Sequence, residues 1–103
     1  MLLTDKYLEA RKQLHKVEAE LYEITGGTVS PMECALLRCG SGYTMGQLAK
    51  KLNVSLPQIT DLTKKLQAKG YVTIVTDKRD RRVNTPVHTT KALALLTILT
   101  HEV

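Results

Sequence analysis

The sequence predicts a mainly α-helical protein with one small β-hairpin, which places it in the α+β class. Three observations support this fold. Helical periodicity and helix start signals recur up to Gly70, an extended β-branched pattern follows, and a last apolar segment returns to helical spacing. With 103 residues, 43% of them hydrophobic and 24% charged, the chain suits one small domain with a modest core.

The first quarter of the chain carries an apolar stripe at alternating spacings of four and three residues. Such a heptad pattern predicts a helix whose narrow seam meets another helix, and Gly26-Gly27 ends it. The seam packs either on the protein's own core or on a second copy, and the pattern fits both. We interpret residues 1–26 as an N-terminal amphipathic dimerisation helix. Its predicted dimer contacts are Tyr7, Leu14, Val17, Leu21 and Ile24.

Three further helix starts each place a hydroxyl residue three positions before a Glu or Gln. The pairs are Ser30 with Glu33, Thr44 with Gln47, and Ser55 with Gln58. In such a capping box, each side chain satisfies a free amide of the other residue. The sequence therefore predicts helices over about 31–39, 45–52 and 56–69.

The last two of these helices form a helix-turn-helix pattern, because each has one apolar face and a short turn joins them. The outer face of the second helix has short polar groups first and cations further along. This order suits insertion of its N-terminus into a major groove, with Gln58 and Thr60 near base edges and the lysines near phosphate. The predicted DNA contacts of this recognition helix are Ser55, Pro57, Gln58, Thr60, Asp61, Lys64 and Lys65.

After Gly70, two β-branched segments, 71–76 and 83–87, predict strands on either side of a charged tip. Pro86 confines the second strand to a sheet edge. A helix-turn-helix followed by such a hairpin is a winged helix, here over residues 28–89. Asp80 is expected to hold Arg82 by a charge-assisted hydrogen bond. The wing residues predicted to contact the minor groove or phosphate are Lys78, Arg79, Asp80, Arg81 and Arg82.

Residues 90–103 predict a C-terminal helix, over about 90–102, that is too apolar to stand free. It is expected to pack on the first helix or on a second copy of the chain. We assign Leu96 and Leu99 to dimerisation together with the seam of the first helix.

The formal net charge of +5 lies downstream, because residues 1–24 carry a net charge of −1. A basic domain favours a polyanionic partner, nucleic acid first and an anionic membrane second. No apolar run reaches the roughly 18 residues needed to span a bilayer, and the N-terminus lacks a leader pattern. We therefore expect a cytoplasmic, nucleoid-associated protein without a membrane partner.

Catalytic and metal sites are not predicted. His15, His88 and His101 lie far apart without ligands at metal-binding spacing, so we expect no metal, no cofactor and no enzyme activity. His88 is interpreted as a structural residue with satisfied hydrogen bonds. Cys34 and Cys39 are interpreted as buried, inert thiols that form no disulfide, with redox sensing as the alternative.

Residues 28–100 resemble the multiple-antibiotic-resistance regulator (MarR) family of winged helix-turn-helix transcription factors. The similar segments are Leu48-Ala49-Lys50-Lys51-Leu52-Asn53-Val54-Ser55, Leu66-Gln67-Ala68-Lys69-Gly70-Tyr71-Val72 and Asp77-Lys78-Arg79-Asp80-Arg81-Arg82. The resemblance implies a homodimer on a pseudo-palindromic operator, usually as a repressor, often released by a small ligand or by cysteine oxidation.

The chain departs from the family pattern at Asp61, where relatives often have a cation, and at His88 and Ala92, where they have an apolar residue and a glycine. It also ends at Val103, whereas relatives continue into longer C-terminal helices that form the ligand pocket. A small-molecule effector is therefore left open.

Together these features predict a sequence-specific regulator that binds double-stranded DNA as a homodimer. The alternative is a winged helix used as a protein-interaction module, such as an adaptor or inhibitor. Asp61 and the short chain favour that alternative, and the basic wing favours DNA.

Overall fold

The structure is a computed structural model that describes residues 2–100. It contains five α-helices and a two-stranded antiparallel sheet within that range: α1 Leu3–Thr25, α2 Pro31–Cys39, α3 Met45–Leu52, α4 Leu56–Ala68, β1 Val72–Thr76, β2 Asn84–His88 and α5 Thr90–Thr100. The predicted α+β fold is confirmed, and the predicted helix and strand limits lie close to the observed ones. The predicted continuation of the last helix through residues 101–103 lies outside the described residues.

The chain divides into two compact units, residues 1–31 and 32–103. In the first unit, α1 ends at Gly26, whose φ of +65° suits glycine at a helix C-terminus. No residue of α1 is buried: Leu14 is 56% exposed and Val17 is 49% exposed, whereas Leu21 and Ile24 are half-buried. The predicted apolar seam therefore lies on α1 with most of its side chains exposed. The predicted division into residues 1–26, 28–89 and 90–103 stays a prediction.

The second unit builds its core from α2, α3, α4, β1 and α5. Among the described residues, the largest fully buried side chains are Leu36, Leu37, Leu48, Ile59, Thr63, Leu66 and Val72. Thr63 is polar, but its hydroxyl donates to the Ile59 carbonyl oxygen at 2.8 Å, so it is buried with its hydrogen bond made.

The helix-turn-helix forms as predicted. The Thr44–Gln47 capping box at the start of α3 is complete, and the Ser55 hydroxyl at the start of α4 accepts from the Gln58 amide at 3.3 Å. Between the two helices, Asn53 adopts a left-handed conformation with φ +54°, which lets the chain turn within a few residues. These local bonds fix where α4 begins and how its first turn is presented.

The hairpin pairs β1 with β2 in antiparallel register, with Ile74 opposite Pro86 and Val72 opposite His88. The other edge of β2 meets the segment between α2 and α3. There the Gly42 amide donates to the Pro86 carbonyl oxygen at 3.3 Å, and the His88 amide donates to the Ser41 hydroxyl at 3.0 Å. Pro86 therefore lies where its missing amide costs no bond of the ladder, and the predicted edge position is confirmed.

Candidate nucleic-acid interface

The inner face of α4 is packed in the core, and its outer face is exposed. Ile59, Leu62, Thr63 and Leu66 are buried in the core of the second unit. Most of the predicted contact residues are exposed, namely Ser55, Pro57, Gln58, Asp61, Lys64 and Lys65. The structure thus brings most of the predicted recognition residues onto one accessible surface.

Asp61 and Lys65 form an ion pair one turn apart on this surface. The Lys65 Nζ to Asp61 Oδ2 distance is 3.1 Å, and the two side chains are 58% and 64% exposed. Such exposed pairs are weak and screened by salt, so phosphate competes easily for the lysine. The negative charge that departs from the family pattern is therefore countered only weakly by Lys65.

Thr60 is the half-buried member of the predicted recognition set. Its hydroxyl donates to the Leu56 carbonyl oxygen at 3.0 Å and lies 3.8 Å from the Met45 sulfur. A hydrogen bond from Thr60 to a base would have to compete with these contacts. Its assignment to base reading stays a prediction.

The wing tip is held by its own carboxylates. Asp77 Oδ1 accepts from the Arg79 amide at 2.7 Å and from the Asp80 amide at 3.2 Å. At the base of the tip, the Asp77 amide donates to the Val83 carbonyl oxygen at 2.9 Å. The charged loop is therefore a defined turn, although most of it is exposed.

Asp80 and Arg82 make the predicted contact. Asp80 Oδ1 accepts from the Arg82 backbone amide and from its Nε, both at 3.0 Å, and Oδ2 accepts from Nη2 at 3.1 Å. The side-chain bond from Arg82 lowers the pKa of Asp80 below its usual range, and the same bond raises the pKa of Arg82. The Arg82 side chain is nevertheless 90% exposed, so its guanidinium is oriented and still accessible.

The end of α4 is tied to α2 by an ion pair that the sequence analysis missed. Lys69 Nζ donates to both carboxylate oxygens of Glu33 at 2.9 Å, and Glu33 is only 3% exposed. The sequence assigned Glu33 only to the capping box of α2 and did not predict its ion pair with a lysine 36 residues away. Lys91 Nζ at the start of α5 donates to the Lys69 carbonyl oxygen at 2.7 Å, which adds a third helix to the junction.

A groove of about 520 Å³ opens beside the first turn of α4. Its lining includes apolar side chains from α3, α4, β1 and the hairpin tip together with two cations of the predicted interface. These residues are Met45, Leu56, Ile74, Val83, Lys64 and Arg82. The recognition helix and the wing therefore border a common depression.

Within residues 2–100, no group of three or more potential metal ligands exists, and no helix is both long and apolar enough to cross a membrane. Cys34 and Cys39 are free thiols, and burial, followed by the Glu33 charge, raises the pKa of Cys34. This disfavours the reactive thiolate at Cys34.

His88 does not have the satisfied hydrogen bonds that the sequence led us to expect. Its Nε2 is buried and has no hydrogen-bond partner in the described part of the chain. Burial also lowers the pKa of His88. The interpretation was wrong because sequence position does not show what surrounds an imidazole.

Comparison with known proteins supports the resemblance seen in the sequence. The MarR family model matches residues 35–83. A transcriptional regulator from Thermotoga maritima, Tm0710, is 26% identical with a TM-score of 0.69, covering 95% of this chain and 70% of its own. No curated protein sequence matches the chain.

Two other solved structures show the same fold. FabT from Streptococcus pneumoniae, solved in complex with DNA, is 24% identical with a TM-score of 0.80, covering 95% of this chain and 72% of its own. A MarR protein from Peptoclostridium difficile is 21% identical with a TM-score of 0.86, covering 99% and 69%. The predicted winged helix is confirmed by these matches. The family and the named regulators also agree with the prediction that the chain is not an enzyme.

Proposed function

Because the chain resembles the MarR family, in sequence over residues 35–83 and in fold throughout the described residues, we propose that it is a transcriptional regulator that binds double-stranded DNA sequence-specifically. The observation that carries the proposal is the pairing of two exposed elements around one groove. The first turn of α4 is capped and uncharged, and Arg82 of the wing lines the same groove. An uncharged helix end suits base edges, and oriented cations suit the DNA backbone.

The binding mode follows from this arrangement. α4 lies in the major groove, where Gln58 can make two hydrogen bonds to an adenine, while Lys64 and Lys65 contact phosphate. Arg79, Arg81 and the Asp80-braced Arg82 contact phosphate or the adjacent minor groove. The protein acts at the nucleoid, in the cytoplasm. We assign no small-molecule effector.

The proposal includes a homodimer acting as a repressor on a pseudo-palindromic site. A single winged helix reads only a few base pairs, so useful specificity requires two copies. Two helices with open apolar surface support it: Leu14 on α1 is 56% exposed, and Ile98 on α5 is 52% exposed. The proposed contacts are the seam of α1 together with Leu96 and Leu99, which are half-buried within the chain.

Two measurements test DNA binding. Selection from a random duplex pool should yield one preferred sequence, and titration of that duplex at rising salt should show a steep loss of affinity from released counterions. A protein-interaction module would select no sequence and bind neither duplex. Binding with equal affinity for random and selected DNA would remove sequence specificity from the proposal.

Sedimentation of the wild type and of Leu14→Asp at micromolar concentration tests the dimer. The substituted seam should release a monomer, because a dimer would bury an unpaired carboxylate. Gln13→Asp, a neighbouring exposed position on α1, is the matched control and should leave the dimer intact. Circular dichroism separates dissociation from unfolding. A monomeric wild type, with and without DNA, contradicts the homodimer.

A further inference from the structure

The first turn of α4 exposes an apolar side chain that is not packed in the core. Leu56 is 52% exposed, although Ile59 in the same turn is fully buried. Pro57 beside it is also exposed, and the turn contains no charged residue. The end of the helix that is proposed to enter the major groove thus presents mainly hydrocarbon, with Gln58 as its one long polar side chain.

Local hydrogen bonds hold Leu56 in place. Its carbonyl oxygen accepts from the Thr60 hydroxyl at 3.0 Å, and the preceding Ser55 hydroxyl accepts from the Gln58 amide at 3.3 Å. Leu56 also lines the groove with Ile74 of β1. Its backbone is therefore fixed by two neighbouring bonds before any partner arrives, which reduces the ordering cost of a contact.

Polar alternatives for base reading are limited on this face. The Thr60 hydroxyl is engaged with the Leu56 carbonyl oxygen. The Asp61 carboxylate can only accept hydrogen bonds, and its charge repels the phosphates beside the groove. In the major groove, the C5-methyl group of thymine is the one hydrocarbon group by which base pairs differ. An exposed leucine at the tip of the helix matches that group chemically.

We propose that Leu56 reads a thymine methyl group in the major groove, so that the preferred half-site carries a thymine next to the base contacted by Gln58. This inference rests on the proposed function and adds a specificity-determining residue to it. Burial of one methyl group contributes about 0.8 kcal/mol, which corresponds to roughly fourfold in affinity.

The test uses the duplex selected for the full chain, with each thymine replaced in turn by deoxyuridine. This change removes the methyl group and keeps every hydrogen-bonding group of the base pair. Wild-type protein should lose about fourfold in affinity at one position of each half-site. Equal affinity for the thymine and uracil duplexes at every position would overturn the inference.

Variants of Leu56 test whether its side chain causes the discrimination between thymine and uracil duplexes. Leu56→Ala should bind the thymine and uracil duplexes equally, whereas Leu56→Met, which keeps a long apolar side chain, should retain the discrimination. Val75→Ala is the matched control, because Val75 is 54% exposed on the hairpin and has no proposed methyl contact. Persistent discrimination in Leu56→Ala would contradict the assignment even though DNA binding itself stood. Failure of the wild type to bind any duplex would instead overturn the proposed function, and this inference with it.

Discussion

The recognition helix and the wing carry most of the proposed DNA contacts, but different forces hold them. α4 buries Ile59, Leu62 and Leu66 in the core, and its C-terminal end is tied to α2 through Lys69 and Glu33. The wing tip is exposed and held by hydrogen bonds that the Asp77 and Asp80 carboxylates accept from nearby residues. Changes that loosen α4 should therefore lower the stability of the whole unit, whereas changes in the wing should lower DNA affinity and leave the fold intact.

The largest effect is expected from Lys69→Met, which removes the ammonium from a buried carboxylate. Glu33 is 3% exposed and cannot regain the hydration that it lost on folding, so the free energy of unfolding should fall by about 3 kcal/mol. Urea denaturation at neutral pH measures the change. A loss smaller than about 0.5 kcal/mol would mean that the pair does not hold the end of α4.

The double variant Glu33→Met with Lys69→Met is the control for this prediction. Replacing both partners by apolar side chains of similar length should recover most of the lost stability, because no charge then remains buried. A double variant as unstable as Lys69→Met would show that the lysine acts through its packing and not through its charge.

The next effect concerns the wing and should leave stability unchanged. Arg81→Ala should weaken DNA binding about tenfold and reduce the slope of log affinity against log salt by about one, as expected for one lost phosphate contact. Arg38→Ala, an exposed arginine on α2 outside the proposed interface, is the matched control. An equal loss of DNA affinity in both variants would mean that Arg81 acts only through the overall charge of the protein and not through a wing contact.

A sharper test of the wing uses Asp80→Ala, which raises the net charge by one and also removes the brace on Arg82. If overall charge alone governs binding, affinity for DNA should rise; if the orientation of Arg82 matters, affinity should fall severalfold. Glu23→Ala, at an exposed position of α1, makes the same charge change and leaves the wing untouched, so comparing the two variants isolates the brace. Fluorescence anisotropy at one fixed salt concentration measures both. Tighter binding by Asp80→Ala would disprove the role of the brace.

The smallest expected effect is a pH dependence of stability from His88. Burial lowers the pKa of His88 below its ordinary 6.5, so the folded state favours the neutral ring. The unfolded state takes up the proton more readily, and this contribution to stability should be complete above about pH 6.5 and lost as the pH falls towards the folded pKa. Denaturation at pH 7.5 and 5.5 should show a smaller difference for His88→Gln than for wild type. His15→Gln, at an exposed position, should behave like wild type.

Local signals were sufficient to predict most elements of this fold. The capping pairs at Thr44 and Ser55 located α3 and α4, and the change of period after Gly70 located the hairpin. The contact between Asp80 and Arg82 was also predictable, because two residues of separation within a tight tip leave few other partners. These features depend on neighbours in the sequence.

Features that depend on distant neighbours were missed. The ion pair between Glu33 and Lys69 was not predicted, because the two residues are far apart in the sequence and meet only where the end of α4 packs beside α2. The buried His88 Nε2 without a partner and the bond from the His88 amide to Ser41 depend on how distant segments pack beside β2. The exposure of Leu56 could not be predicted from the sequence either, because an apolar residue at a helix start is expected to pack inward. Periodicity indicates which face is buried but not which distant groups meet there.

The position of Pro86 has a consequence for how copies of this protein can associate. Exposed strand edges recruit strands from other chains through free amides and carbonyls. In the middle of β2, Pro86 has no amide to offer, its carbonyl already accepts from Gly42, and the His88 amide donates to Ser41. This part of the β2 edge is therefore closed to strand addition, so copies of the protein cannot associate there by extending each other's sheets.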